Sequence, residues 1–193
     1  TSLKVPIDKD MAICLYTAIF TDTGSFRYSN TTSESMRIAA TLIEAGADPW
    51  TVTENVYESY AFKRINLLGR VLSGIERSRD GRIAWVLVTE DLYRQTGTSA
   101  EDTDSFVNFV RSVKGVEVAV LFRQTGAAQY KISLRAKGRV DLSGLATSLG
   151  GGGHKNAAGG TVEGPFAAVR EKVLNAVAQA LETQFGKGPI SSS

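Results

Sequence analysis

Along the first 75 residues the apolar positions recur at helical spacing, and the interruptions fall at residues that cap or stop helices. Met11 to Phe20 is mostly apolar and free of Gly and Pro. With Asp8 or Asp10 as its N-cap, it predicts a buried helix that stops near Gly24. Thr31-Thr32-Ser33 then opens an amphipathic stretch that turns Met36, Ala39, Ala40, Leu42 and Ile43 inward and stops at Gly46. Asp48 before Pro49 supplies a cap and a proline at the first helical position. A third helix is expected from there through Tyr60, running into a fourth from Ala61 to Ile75.

The pattern changes at Arg77 to Arg82, where charged residues surround the turn dipeptide Asp80-Gly81 and the β-rich run Ile83 to Val88 follows. Thr98 and Glu101 match a capping box for a helix to Val113, and Val116 to Phe122 reads as a buried strand. After a turn at Gly126, Tyr130, Ile132 and Leu134 alternate with Lys131, Ser133 and Arg135, so one strand has an apolar face and a polar, basic face. Asp141 caps a short helix ending at Gly150, a strand is expected around Gly159 to Val162, and Gly164-Pro165 opens a closing helix to about Gln184. The expected fold is α/β: a helical part over residues 1–80, a mixed-sheet α/β domain over 81–186, and a disordered tail at 187–193.

Composition narrows the classes. One cysteine, Cys14, allows neither an internal disulfide nor a cysteine zinc cluster and suits a reducing cytoplasm. No apolar run approaches the roughly 20 residues that span a bilayer, and no charged leader precedes a small-residue cleavage site. A soluble protein with no membrane partner is expected. The net charge of +2 does not announce a polyanion binder, but its distribution is uneven. Arg123, Lys131, Arg135, Lys137, Arg139 and Lys155 face Asp141 alone over residues 123–155, whereas ten bases balance ten acids over residues 1–82.

That basic stretch ends in the segment Gly150-Gly151-Gly152-Gly153-His154-Lys155-Asn156-Ala157-Ala158-Gly159-Gly160. Consecutive glycines admit positive φ and let backbone N–H groups converge on an anion without interference from Cβ. His154, Lys155 and Asn156 add side-chain donors, and Ala157 and Ala158 are small enough for close packing. The Gly-Lys-Ser/Thr ending of a Walker loop and the G-x-G-x-x-G spacing of a dinucleotide fold are both absent, which argues against ATP and NAD. His154 is the sole histidine, so no histidine metal cluster exists and phosphate contact is its better role.

GGGHKNAAGG resembles the signature loop of the DHH-associated domain, and IFTDTGSFRYSNT at 19–31 is similar to the last motif of the DHH catalytic domain in nanoRNase and pAp phosphatase proteins. Together with the helices between them, the two segments cover most of the chain in the family's order. The resemblance implies a DHH phosphoesterase fragment: a helical remnant of the catalytic domain followed by the substrate-binding domain. It makes Asp22 a catalytic metal ligand in a two-metal centre of Mn²⁺ or Mg²⁺, a pair that lowers the pKa of a bridging water. It also implies phosphate contacts from Ser133 and Arg135, from His154, and from the loop residues Gly151, Gly152, Gly153 and Asn156. Arg111 is a further candidate, with stabilisation of a helix C-terminus as its plainer role.

The aspartate-rich first motif and the Asp-His-His motif are missing from this sequence, and Asp8-Lys9-Asp10 is explained by capping. The chain is therefore expected to bind short single-stranded RNA or nucleotides without hydrolysing them, while its intact parent cleaves short oligoribonucleotides and pAp. The family's habit of pairing through catalytic-domain helices makes a homodimer possible. An RNA-binding module without catalysis and a cyclic-dinucleotide phosphodiesterase are the alternatives.

Overall fold

A computed structural model describes residues 6–138 and 140–185; the tail expected at 187–193 lies outside the described residues. The chain divides into two compact units, Thr1–Tyr60 and Ala61–Ser193. This division falls before the composition break near residue 80.

The first unit is helical. Helix α1 (Lys9–Asp22) starts where Asp8 Oδ1 accepts the Met11 amide at 2.9 Å. Helix α2 (Ser33–Glu44) starts at a reciprocal Thr32/Ser35 box, and α3 (Pro49–Thr53) at Asp48, whose carboxylate takes the Trp50 and Thr51 amides. Ala12, Tyr16 and Phe20 form one buried stripe of α1 and meet Ala39 and Leu42 of α2. The inward face predicted for α2 was too wide: Met36 and Ile43 are exposed, as is Ala40, because a helix packed against one neighbour buries only a narrow stripe.

The third helix does not run into the fourth. A π-helical turn, Glu54–Glu58, follows α3, and the chain leaves helical geometry before Ala61. The widened turn brings Tyr57 to the aromatic cluster, 5.8 Å from the Phe20 ring, where its hydroxyl meets Ser25 Oγ at 3.0 Å.

The second unit opens with α4 (Phe62–Ser73), whose Leu67 and Val71 pack on the sheet that follows. That sheet contains β1 (Glu76–Arg77), β2 (Ile83–Val88), β3 (Val118–Gly126), β4 (Gln129–Ala136), β5 (Gly152–His154) and β6 (Ala157–Glu163) in the order β1-β2-β3-β4-β6-β5. Among the described residues neighbouring strands are antiparallel except β2 and β3, which pair in parallel. Their crossover holds α5 (Glu90–Thr96), a 3₁₀ turn (Ala100–Thr103) and α6 (Phe106–Ser112).

The crossover differs from the single helix expected up to Val113. Ser99 and Asp102, rather than Thr98 and Glu101, form the capping box, and the Thr98 hydroxyl pairs with Thr96 Oγ1 at 2.6 Å instead. Helix α7 (Ser143–Ser148) and α8 (Phe166–Phe185) complete the unit.

Two apolar layers flank the sheet. Val169, Val173, Val177 and Leu181, one stripe of α8, cover Val118, Val120 and Phe122 of β3 and Tyr130, Ile132 and Leu134 of β4. On the opposite face Leu67, Val71, Phe106, Val107 and Val110 cover Val86 and Val88 of β2 and Ala119 and Leu121 of β3. Full burial of a side chain such as Phe122 stabilises the fold by about 1.5–3 kcal/mol. The alternation predicted for β4 holds, with Tyr130, Ile132 and Leu134 buried and Lys131, Ser133 and Arg135 on the other face.

Candidate functional site

Asp22 is the last residue of α1, in the first unit. The chain then turns through three consecutive left-handed residues, Gly24, Ser25 and Phe26, at φ 57°, 61° and 61°. Two of these carry side chains, a costly conformation that the surroundings enforce. The Ser25 amide donates to Phe20 O at 2.7 Å, the Phe26 amide donates to Thr23 Oγ1 at 3.0 Å, and the Phe26 ring joins the aromatic cluster. A Cβ at Gly24 would overlap the Tyr28 ring.

The Asp22 carboxylate accepts a bond from Asn30 Nδ2 at 3.0 Å. Among the described residues no three His, Cys, Asp or Glu side chains stand close enough to hold a metal ion. One carboxylate does not furnish the hard oxygen and nitrogen donors that an Mn²⁺ or Mg²⁺ pair takes, so the residues present do not fit a two-metal centre.

In the second unit the glycine segment is not an open loop. Gly152–His154 is the edge strand β5, paired with β6 so that Gly152 faces Gly159, Gly153 faces Ala158 and His154 faces Ala157. The amides expected to converge on an anion are partly committed to protein. Gly150 N–H donates to Thr147 O at 3.1 Å, and Gly151 N–H donates to Ala146 O at 2.9 Å, both at the end of α7. The glycines are required sterically instead. A Cβ on Gly151 would fall inside 3.0 Å of the Gly159 carbonyl, one on Gly159 inside 3.0 Å of the Ile132 carbonyl, and one on Gly160 inside 3.0 Å of the Leu149 carbonyl. Asn156 does not reach outward as expected: its side chain is half-buried beside Gly138 with Oδ1 unbonded, and its carbonyl holds the Ala136 amide at 3.0 Å.

The hairpin's anchor rests on Asp141, which accepts from both the amide and the hydroxyl of Ser143 at the start of α7. The Ser143 hydroxyl and amide hold the Asp141 carboxyl below the usual carboxylate range. A carboxyl whose folded pKa is depressed stabilises the fold at neutral pH and loses that contribution as pH falls through the carboxylate range. Acidification to about pH 3 is therefore expected to speed exchange of the Gly150 and Gly151 amides relative to β3 amides, and Asp141→Ala to abolish that extra pH dependence, both read by hydrogen–deuterium exchange.

Register places the remaining candidates together. Arg135 of β4 lies opposite Ala157 of β6, which lies opposite His154 of β5. Directly opposed residues of antiparallel strands share a face, so Arg135 and His154 rise on either side of an alanine, their Cα atoms about 10 Å apart. In the next row Ser133, Gly159 and Gly152 are opposed, a stretch of near-bare backbone. This face of β4, β6 and β5 is exposed or half-buried, with His154, Gly152 and Lys131 exposed.

Where this shelf meets β3, a recess of about 90 Å³ opens, lined by Thr103, Asp104, Ser105, Val107, Leu121, Arg123, Ser133 and Arg135. Arg123, counted in the basic stretch but not among the expected phosphate contacts, is its central feature. Its guanidinium donates to Thr103 Oγ1 at 3.3 Å and to Ser133 Oγ at 3.1 Å, while Nε is buried without a hydrogen-bond partner. No carboxylate forms an ion pair with it among the described residues. Arg135, half-buried, donates to the Leu134 carbonyl at 2.9 Å. Arg111 lies in the last turn of α6, four residues beyond the lining residue Val107 and on the same side of the helix.

The far wall is fixed from α4. Arg64 Nε donates to Asp102 O at 3.0 Å and Nη2 to Asp104 O, and the guanidinium lies 5.4 Å from the Phe106 ring centre. Burial raises the pKa of Tyr93 beside this wall, an effect that Thr103 and the Arg123 charge partly offset.

A mixed six-stranded sheet, backed by helices and open at a basic recess and a glycine edge, defines the second unit as an α/β platform. The DHHA1 domain family matches it over residues 80–185, and the chain belongs to that family. The bifunctional oligoribonuclease and PAP phosphatase NrnA of Thermus thermophilus is 37% identical over 181 residues, which cover 93% of this chain and 53% of that protein. The Bacillus subtilis protein of the same description is 28% identical over 77% of this chain and 46% of its own length. A crystal structure of an exopolyphosphatase-related protein from Bacteroides fragilis superposes with a TM-score of 0.80 at 34% identity, covering 92% of this chain and 51% of that one. The chain thus spans about half the length of the relatives it matches.

Proposed function

We propose that the second unit holds the phosphates of a short single-stranded RNA or nucleotide, as the substrate-binding part of a manganese-dependent cytoplasmic phosphoesterase that cleaves oligoribonucleotides and pAp. The reading rests on the guanidinium of Arg123, which is partly buried, lacks a carboxylate, and lines a recess with Arg135 and Ser133. A cation partly withdrawn from water and bonded only to neutral hydroxyls is costly, and an anionic ligand supplies a charge within ion-pair distance. The glycine and alanine positions beside it let a ligand lie on backbone. Two relatives described as oligoribonucleases and PAP phosphatases point to ribonucleotide phosphates among the possible anions.

Hydrolysis is assigned to the longer protein. Asp22 is the residue to which the resemblance gives a metal role, and among the described residues its neighbours do not complete a centre. The chain alone is expected to show no manganese-dependent turnover of a diribonucleotide or of pAp; turnover that Asp22→Ala abolishes would refute this division of labour. Binding is tested by calorimetry with a 5′-phosphorylated diribonucleotide. Arg135→Ala and His154→Ala are each expected to weaken affinity about tenfold, with affinity falling as salt rises. Unchanged affinity in both variants would refute the phosphate site.

A further inference from the structure

We infer that Asp104, with Ser105 beside it, selects ribose over deoxyribose next to the phosphate held by Arg123 and Arg135. The inference rests on the phosphate reading above and deepens it. A recess built for a bare phosphate gains nothing from a carboxylate, which repels the anion. Yet Asp104 lines the same recess as both arginines. A carboxylate only accepts hydrogen bonds. An acidic residue lining one recess with two arginines fits a ligand that places hydroxyl donors beside an anionic group, as a ribose does beside its phosphate, and carboxylates elsewhere hold ribose 2′-hydroxyls in this way. The 2′-hydroxyl is also the group that separates RNA from DNA.

The backbone of Asp104 accounts for its structural duties, which leaves the carboxylate for another use. Its amide donates to Glu101 O at 3.3 Å and its carbonyl accepts from Arg64. None of the ion pairs or side-chain hydrogen bonds among the described residues uses its carboxylate. The segment is also held rigidly. Arg64 grips the carbonyls of Asp102 and Asp104, and Ser105 is kept at φ 69°, a conformation that a side chain rarely adopts unless its surroundings impose it. A backbone fixed in this way limits where the exposed Asp104 carboxylate can reach before the ligand arrives, and discrimination between two sugars requires such a limit.

The test compares a 5′-phosphorylated diribonucleotide, its deoxy counterpart and inorganic phosphate, by calorimetry on the wild-type chain and on Asp104→Ala and Asp104→Leu, which remove both the charge and the acceptor, with melting curves confirming that each folds. The wild type is expected to prefer the ribose ligand about 10- to 100-fold. Both variants should bring that ratio towards one while binding the deoxy ligand and phosphate as tightly as before or more tightly, because a repulsive charge has gone. A general structural role for Asp104 would weaken all three ligands together and overturn the inference. So would equal binding of the two dinucleotides by the wild type, or a ratio unchanged in both variants, although either result leaves the phosphate site standing. If the wild type binds none of the three, the phosphate reading fails and the sugar selection falls with it.

Discussion

An Arg123→Met chain is expected to melt at a higher temperature than the wild type while binding a 5′-phosphorylated diribonucleotide about 10- to 100-fold more weakly. The two effects have one cause. In the free chain the guanidinium is partly desolvated, its Nε has no partner, and its two hydrogen bonds go to neutral hydroxyls at 3.1 and 3.3 Å. Replacing an uncompensated charge of this kind by an apolar side chain of similar length is neutral or stabilising. In the complex the same group provides charge-assisted bonds that methionine cannot make. Calorimetric binding and thermal melting, measured on the same preparations, check both signs. A variant that loses stability and keeps affinity would show that Arg123 holds the wall together rather than holding the ligand.

Gly159→Ala is expected to cost about 3 kcal/mol or more, read as a fall in melting temperature or as failure to accumulate as folded protein. A Cβ at this position would fall inside 3.0 Å of the Ile132 carbonyl, and that atom belongs to the neighbouring strand and has nowhere to move. Gly152→Ala makes the informative contrast, because nothing in the protein lies within 4 Å of the new methyl group. It should fold normally and lose affinity, since the added carbon stands on the shelf where a ligand would rest. If both alanine variants fold and bind like the wild type, the close approach of the strands is not what the glycines serve.

Much of the architecture can be read from side-chain order. The alternation Tyr130 to Arg135 predicted a half-covered strand because a pleat has period two, and Asp8 or Asp10, Thr31 to Ser33 and Asp48 marked helix starts, of which Asp8, Thr32 and Asp48 are the caps, because their oxygens satisfy free amides. The break between α3 and α4 was not legible. No Gly or Pro stands between Trp50 and Leu68, and the interruption comes from the aromatic cluster that receives Tyr57, a tertiary effect. Strand β5 was hidden for the opposite reason, since Gly152-Gly153-His154 has none of the β-branched or aromatic residues that signal a strand.

The candidate site divides in the same way. Ser133, Arg135 and His154 share a face, and the alternation of β4 already pointed to the first two. Arg123 escaped because it stands just past an apolar run and reads as the residue that ends it. Its place depends on a hairpin register with an irregularity between Gln124 and Gly126, which no local pattern fixes.

Helices α4 and α6 bury the part of their sheet face formed by β2 and β3, and beyond it the same face of β4, β6 and β5 is exposed or half-buried. A floor made of main chain carries almost no chemical identity, since every polypeptide offers the same groups. On the proposed reading, preference among ligands is therefore written at the margin, on the short crossover segment that Arg64 pins, while the floor itself tolerates little editing. Descendants of this chain would be expected to change their taste through residues 102–105 and to leave the glycines alone.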